Sequence, residues 1–202
     1  MSSPRIISGT ARGFRLQAVP GDITRPITDR VKEALFNILG GDIEDAALLD
    51  LFAGTGSVGI EALSRGAAMV RFIDKNRPAV QTVKTNLERT RLAARAEVLH
   101  SDAFTLIRQL PDRQFDYIFI APPQYKGLWQ AMLAELDRQP GWLAPDGWVI
   151  VQIDPVEYQP VALDHFSEFE QRRYGSTLLI FYAQKAAPDE AGSPAPAPPS
   201  NG

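Results

Sequence analysis

The chain has 202 residues, 45% hydrophobic and 22% charged, with a net charge of −3, which suits a single globular domain with a full core. It has no cysteine and only two histidines, His100 and His165, so disulfides, thiolate chemistry and a bound metal are not expected. No apolar run reaches the roughly eighteen residues of a membrane span, and the N-terminus lacks a signal-peptide core, so a cytoplasmic protein is expected.

Residues 1–40 carry Arg5, Arg12, Arg15, Arg25, Arg30 and Lys32 against Asp22, Asp29 and Glu33. This segment is net basic on a chain that is otherwise acidic. Such a distribution fits contact with a phosphate backbone, or simply a solvated basic face. Within it, Arg5-Ile-Ile7 and Phe14-Arg-Leu16 flank a glycine-containing polar link, which predicts a β-hairpin over 5–17. Arg25-Pro26-Ile-Thr28 is expected to be extended, because proline disfavours helix in the residue before it. Thr28 or Asp29 can cap a following helix. Val31, Ala34, Leu35, Ile38 and Leu39 give that helix an apolar face, and Gly40-Gly41 ends it.

Strands and helices alternate from residue 46 onward. Strands are predicted near 46–52, 68–73, 95–100, 115–121 and 147–153, and helices near 57–65, 77–91, 103–110 and 127–138. Alternation of this kind implies a parallel sheet covered on both faces. The run Ser176–Tyr182 is a further strand, paired with 166–173 as an antiparallel hairpin. Residues 186–202 are rich in alanine and proline and are expected to be disordered. The expected organisation is therefore an N-terminal extension (1–40), an α/β domain of Rossmann-like type (41–185) and a tail (186–202).

The stretch Asp50-Leu-Phe52-Ala-Gly54-Thr-Gly56-Ser-Val-Gly59 places a glycine turn between a buried strand and a helix, with Asp74 ending the next strand. This spacing alone matches the dinucleotide fingerprint Gly-x-Gly-x-x-Gly. Asp50 changes the reading. A carboxylate at that strand end repels a pyrophosphate but suits the ammonium of a methionine-like ligand. S-adenosylmethionine (SAM) has that cation and no phosphate, and Asp74 can accept its ribose hydroxyls. A turn serving packing alone is the simpler alternative.

Phe115–Ala121 is a buried strand running into Pro122-Pro123-Gln124-Tyr125. In a doubly wound sheet the end of this strand lies beside the end of the first. The transferable methyl would therefore face this loop, where Tyr125 can stack on a base. Trp129, Trp142 and Trp148 are read as packing residues, and His100 as structural.

Over residues 5–184 the chain resembles the bacterial methyltransferases that modify the N2 amine of a guanine in small-subunit (16S) ribosomal RNA. The resemblance rests on Arg5-Ile-Ile-Ser-Gly9, on Arg25-Pro-Ile-Thr-Asp29-Arg30-Val-Lys32-Glu33-Ala-Leu-Phe36-Asn37, on Asp50–Gly66 and on the diproline loop. It implies a class I SAM-dependent methyltransferase fold, with 16S rRNA or a small-subunit assembly intermediate as partner. It also implies SAM binding by Asp50, Phe52, Gly54, Gly56, Gly59, Asp74 and Asp102, the last near the adenine amine. The loop Ala121–Tyr125 then aligns the substrate, and Arg5, Arg12, Arg15, Arg25, Arg30 and Lys32 face RNA. A monomer is expected.

One departure bears on chemistry. The family's loop reads Asp-Pro-Pro-aromatic, and here Ala121 stands at the acid's place, with Tyr125 one position late. Three readings stay open. Backbone carbonyls helped by Gln124 suffice; another acid, such as Asp154, serves; or the chain is a SAM- and RNA-binding assembly factor with weakened catalysis. Methylation of another amine, adenine N6 or a protein glutamine, is the remaining alternative.

Overall fold

A computed structural model describes residues 4–21 and 27–185. Arg25 and the 186–202 tail, for which expectations were stated, lie outside the described residues. Seven strands form one sheet in the order β3-β2-β1-β4-β5-β7-β6. They are β1 (Ala47–Asp50), β2 (Met69–Asp74), β3 (Ala96–His100), β4 (Phe115–Ile120), β5 (Leu143–Ile153), β6 (Phe166–Tyr174) and β7 (Thr177–Gln184). The first five run parallel to one another, while β7 runs antiparallel to both β5 and β6. This is the expected class I SAM-methyltransferase sheet with its late hairpin.

The helices are α1 (Asp29–Leu39), α2 (Ser57–Ser64), α3 (Arg77–Thr90), α4 (Ala103–Ile107) and α5 (Leu128–Arg138). Successive strand residues point to opposite faces, so Leu48 and Leu49 enter different cores. Leu48, Val70, Phe72, Phe119 and Ile150 pack with residues of α1, α2 and α3, including Leu35, Val58, Leu63 and Val83. Leu49, Ile73, Ile118, Val149 and Val151 pack with Ile107 of α4 and with Trp129, Met132 and Leu136 of α5. Trp129 and Trp142 are fully buried there, and the Trp142 ring N–H donates to the Ile107 carbonyl at 3.1 Å.

Two elements differ from the sequence expectation. Strand β5 begins at Leu143, four residues early, because the register against β4 shifts between Phe115 and Tyr117. Pro145-Asp146-Gly147 reads as a turn but lies in this irregular stretch, and a Cβ on Gly147 would sit 2.8 Å from the Asp116 carbonyl oxygen. The predicted hairpin at 5–17 closes through a single bridge, Arg5 to Arg15. Its short arms are joined by Ile6 N–H to the Phe14 carbonyl at 2.9 Å and Leu16 N–H to the Pro4 carbonyl at 2.8 Å.

That loop packs onto the domain. Ile6, Ala11 and Leu16 are buried in the core of α1, α2 and α3. A Cβ on Gly9 would lie 1.8 Å from the Ser64 carbonyl oxygen, so only glycine permits this approach. Beneath it lies an ionic cluster. Glu61 of α2, fully buried, accepts from the backbone N–H groups of Ile7 (2.7 Å) and Ser8 (3.0 Å) and from Arg65 (2.8 Å). Lys32 of α1, also fully buried, pairs with Glu61 at 3.5 Å and donates to the Arg5 carbonyl (2.6 Å) and the Ser57 hydroxyl (2.9 Å). Burial pulls its pKa below the ordinary lysine value, and Glu61 and Asp29 oppose that pull.

Removing one partner of a buried pair strands the other charge. Glu61→Ala is therefore expected to destabilise the fold by about 3–5 kcal/mol, measured by urea unfolding. A loss comparable with that of a surface substitution would contradict the role given to this cluster.

Candidate functional site

Parallel strands bring the ends of β1, β2, β3 and β4 to one edge of the sheet, and the predicted cofactor residues gather there. Asp50 ends β1 and is 2% exposed. The next residues continue the ladder to both sides as the chain turns. Leu51 donates to the Phe119 carbonyl at 3.1 Å, and Ala53 donates to the Ile73 carbonyl at 3.0 Å. Gly54 (φ +54°) and Gly56 (φ +77°) then take left-handed conformations that glycine adopts without strain. Nothing lies within 4 Å of a Cβ built on Gly54, so this side of the turn is open. Gly59 serves a different end, because a Cβ there would meet the Phe72 ring at 2.3 Å. It lets α2 lie close on β2.

Burial pushes the Asp50 carboxyl up to about 7, and the neighbouring charge of Asp74 adds to the rise. Hydrogen bonds from the backbone of Phe52 and Gly59 oppose it. Oδ1 of Asp50 is buried and has no hydrogen-bond partner among the described residues. A buried carboxylate with an unmet acceptor is costly unless a cation or donor meets it.

Asp74, at the end of β2, accepts from Gly54 N–H at 2.9 Å through Oδ2 and from Asn76 N–H at 2.8 Å through Oδ1. Each oxygen retains a further lone pair for a ligand. Asp102 lies just beyond β3 and caps α4, with Oδ1 accepting from Thr105 N–H at 3.1 Å. His100 contacts the Lys75 carbonyl at 3.0 Å, in keeping with a structural place.

Asn86 on α3 is a residue that motif reading missed. It is fully buried. Its amide donates to the carbonyls of Thr55 (2.9 Å) and Gln17 (3.1 Å), and its Oδ1 accepts from Gln17 N–H (2.8 Å). It therefore ties the glycine turn to the N-terminal segment. A signal existed: position 86 is three after Val83 and four before Thr90, on the buried face of α3.

The loop after β4 carries Ala121, Pro122, Pro123, Gln124 and Tyr125. Tyr125 is exposed and has φ +61°, an uncommon conformation for a residue with a side chain. Two acids beyond β5 hold it. Asp154 accepts from the Tyr125 hydroxyl at 3.0 Å and from Val156 N–H at 3.1 Å, and Glu157 accepts from Tyr125 N–H at 2.7 Å. Asp154 thus does reach the loop, through Tyr125. A cavity of about 70 Å³ adjoins, lined by Gln124, Gln152, Thr28, Val31 and the β6–β7 turn.

The cationic residues divide. Arg12, Arg15 and Arg30 are exposed. Arg5 is exposed but pairs with Asp29 at 2.8 Å, which fixes the hairpin base to α1. The expectation that Lys32 faces RNA is corrected. Its ammonium is enclosed between α1, α2 and the hairpin, with no exposed surface.

Comparison with known proteins gives a consistent picture. The family described as "Conserved hypothetical protein 95" matches residues 4–183. A Bacillus subtilis protein named "Putative rRNA methyltransferase YlbH" is 37% identical, over 90% of this chain and 99% of its own. The Escherichia coli "Ribosomal RNA small subunit methyltransferase D" is 35% identical over 90% of each chain. The solved structure of "Putative methyltransferase yhhF" from Escherichia coli superposes with a TM-score of 0.79 at 34% identity, covering 91% of this chain and 98% of its own.

Replacing Asn86 by leucine keeps the volume but leaves the Gln17 N–H and the Thr55 carbonyl without a partner. A loss of about 1–3 kcal/mol per stranded group is expected, read from the urea midpoint. An unchanged midpoint would remove Asn86 from the scaffold of the glycine turn.

Proposed function

Since this chain belongs to the family described as "Conserved hypothetical protein 95", we propose that it is a SAM-dependent methyltransferase of ribosomal RNA whose target is the exocyclic N2 amine of a guanine in 16S rRNA. The observation that carries the SAM reading is the buried Oδ1 of Asp50, an unmet acceptor beside an open glycine turn. An ammonium satisfies that acceptor and a phosphate does not. The names carried by the Bacillus subtilis and Escherichia coli relatives support RNA as the substrate class.

Asp50 holds the ammonium of SAM, Asp74 its ribose hydroxyls and Asp102 the adenine amine. Gly54 and Gly56 bring the backbone close to the ligand. SAM supplies a methyl carbon made electrophilic by its sulfonium. The rest of the task is alignment. An exocyclic guanine amine is a weak nucleophile, because its lone pair is delocalised into the ring. Acceptors that hold its two hydrogens turn that lone pair outward, and such positioning can supply several kcal/mol. The rigid diproline segment presents backbone carbonyls for this purpose, and Tyr125, clamped by Asp154 and Glu157, offers a ring face to the base. Arg12, Arg15 and Arg30 take phosphate contacts, which bring affinity rather than sequence choice.

Two measurements test this reading. Asp50→Asn removes the charge that meets the ammonium, and SAM affinity by calorimetry at pH 8 is expected to fall tenfold or more, about 1.4 kcal/mol. Unmodified 16S transcripts and small subunits reconstituted from them, incubated with protein and labelled SAM, should yield N2-methylguanosine on nucleoside mass spectrometry. RNA binding without any methylated nucleoside would leave the non-catalytic assembly factor in its place. A different methylated nucleoside would move the target to another amine.

A further inference from the structure

We propose that Gln152 supplies the second hydrogen-bond acceptor for the substrate amine, in place of a carboxylate at position 121. This assignment rests on the proposed amine methylation and names a residue that acts in it.

Strand register places Gln152 beside the loop. Ile120 of β4 pairs with Val151 of β5, so Ala121 and Gln152 are the next residues in line on adjacent parallel strands. Side chains alternate along a strand. Ile150 faces the core shared with α1, and Gln152, two residues on, shares that face. Ala121 packs against the same cluster. Gln152 thus stands beside position 121, where the alanine carries no acceptor of its own.

Chemistry distinguishes Gln152 from its neighbours. Its Oε1 is buried and has no hydrogen-bond partner among the described residues. A buried amide oxygen left unmet costs stability, and among described residues only two other side-chain atoms share that condition. One is Oδ1 of Asp50, in the cofactor site. The other is Oε1 of Glu157, whose second oxygen holds Tyr125 N–H. Neither Glu157 nor Asp154 lines the cavity beside the loop, whereas Gln152 and Gln124 both do. At about 70 Å³ the cavity takes the amine edge of a base rather than the whole base. Its other walls are the start of α1 and the β6–β7 turn, which bring no carboxylate.

A neutral amide oxygen suits the step. The amine lone pair forms the bond to the methyl carbon as the carbon–sulfur bond breaks, with its electron pair going to sulfur. Nitrogen then sheds its surplus proton to solvent. Gln152 holds one amine hydrogen during this displacement and takes no proton itself. The donors on Gln124, across the same cavity, remain for an acceptor on the base edge.

The test is single-turnover methyl transfer to unmodified 16S transcript or reconstituted small subunits, with SAM and RNA affinities measured alongside. Gln152→Leu keeps the shape and removes the acceptor. Its transfer rate is expected to fall roughly ten- to hundredfold, with both affinities retained. Gln152→Glu, which restores an acceptor, and Ala121→Asp combined with Gln152→Leu, which returns a carboxylate from the adjacent strand, should each recover most of the rate. Gln171→Leu, the same change at an exposed position of β6, serves as the comparison and should leave the rate within a fewfold of the parent. Unchanged transfer by Gln152→Leu overturns this assignment while leaving the methyltransferase reading intact. A slow Gln152→Leu that neither restoring variant rescues overturns it as well, since that pattern marks a packing role. No transfer by the parent chain overturns both.

Discussion

The carboxylate of Asp50 sets the terms for everything around it. It sits at the end of the central strand, almost without solvent contact, and half of its hydrogen-bonding capacity is unmet. A fold tolerates such a group when something else needs it there. The surrounding architecture sets the group at the foot of the glycine turn, whose Gly54 side is open. The chain peels from β1 into the glycine turn while still bonded to β2 and β4 on either side. Asn86 holds the turn from behind, and Gly59 lets α2 approach close enough for its backbone to face the site. The same edge of the sheet carries Asp74 and Asp102 at the spacing of successive strands.

The second organising feature is the ionic cluster of Lys32, Glu61 and Arg65. It joins α1, α2 and the N-terminal loop, so the basic segment is built into the domain that carries the cofactor site. One consequence is geometric. The start of α1, which carries exposed Arg30, also contributes Thr28 and Val31 to the cavity beside the diproline loop. The RNA contact proposed for that helix therefore lies next to the cavity proposed to align the amine.

Much of this was legible in sequence because it is local. A strand, glycines and a helix in succession specify a turn, and Asp50 within that stretch is the residue from which a cationic ligand is proposed. The late hairpin followed from two apolar runs around Gly175. What escaped reading depends on pairing between distant segments. Lys32 looks like a surface lysine, yet it is three and four residues before Leu35 and Phe36, on the buried face of α1. Its counterpart Glu61 lies in a helix whose every residue is buried. Each polar residue on an apolar face was half of a pair whose other half lay 29 positions away. Asn86 and Gln152 follow the same pattern, one answered by the Gln17 and Thr55 backbone, the other with an Oε1 that meets no partner among the described residues. The β5 bulge escaped for a different reason, since Pro-Asp-Gly is turn chemistry wherever it occurs and only the register against β4 makes it part of a strand.

The central claim is that the buried Asp50 carboxylate exists to meet a cation. With its pKa raised to about 7, Asp50 is partly protonated in the free protein at neutral pH, and pairing with an ammonium requires the ionised form. Cation binding lowers the pKa and expels the proton, so affinity weakens as pH falls through 7. Calorimetric titration of SAM at pH 7, in buffers of different ionisation enthalpy, measures this directly. Release of a fraction of a proton per SAM bound is expected, disappearing in Asp50→Asn. Tight binding with no proton release, or with release unchanged in that variant, would contradict the account.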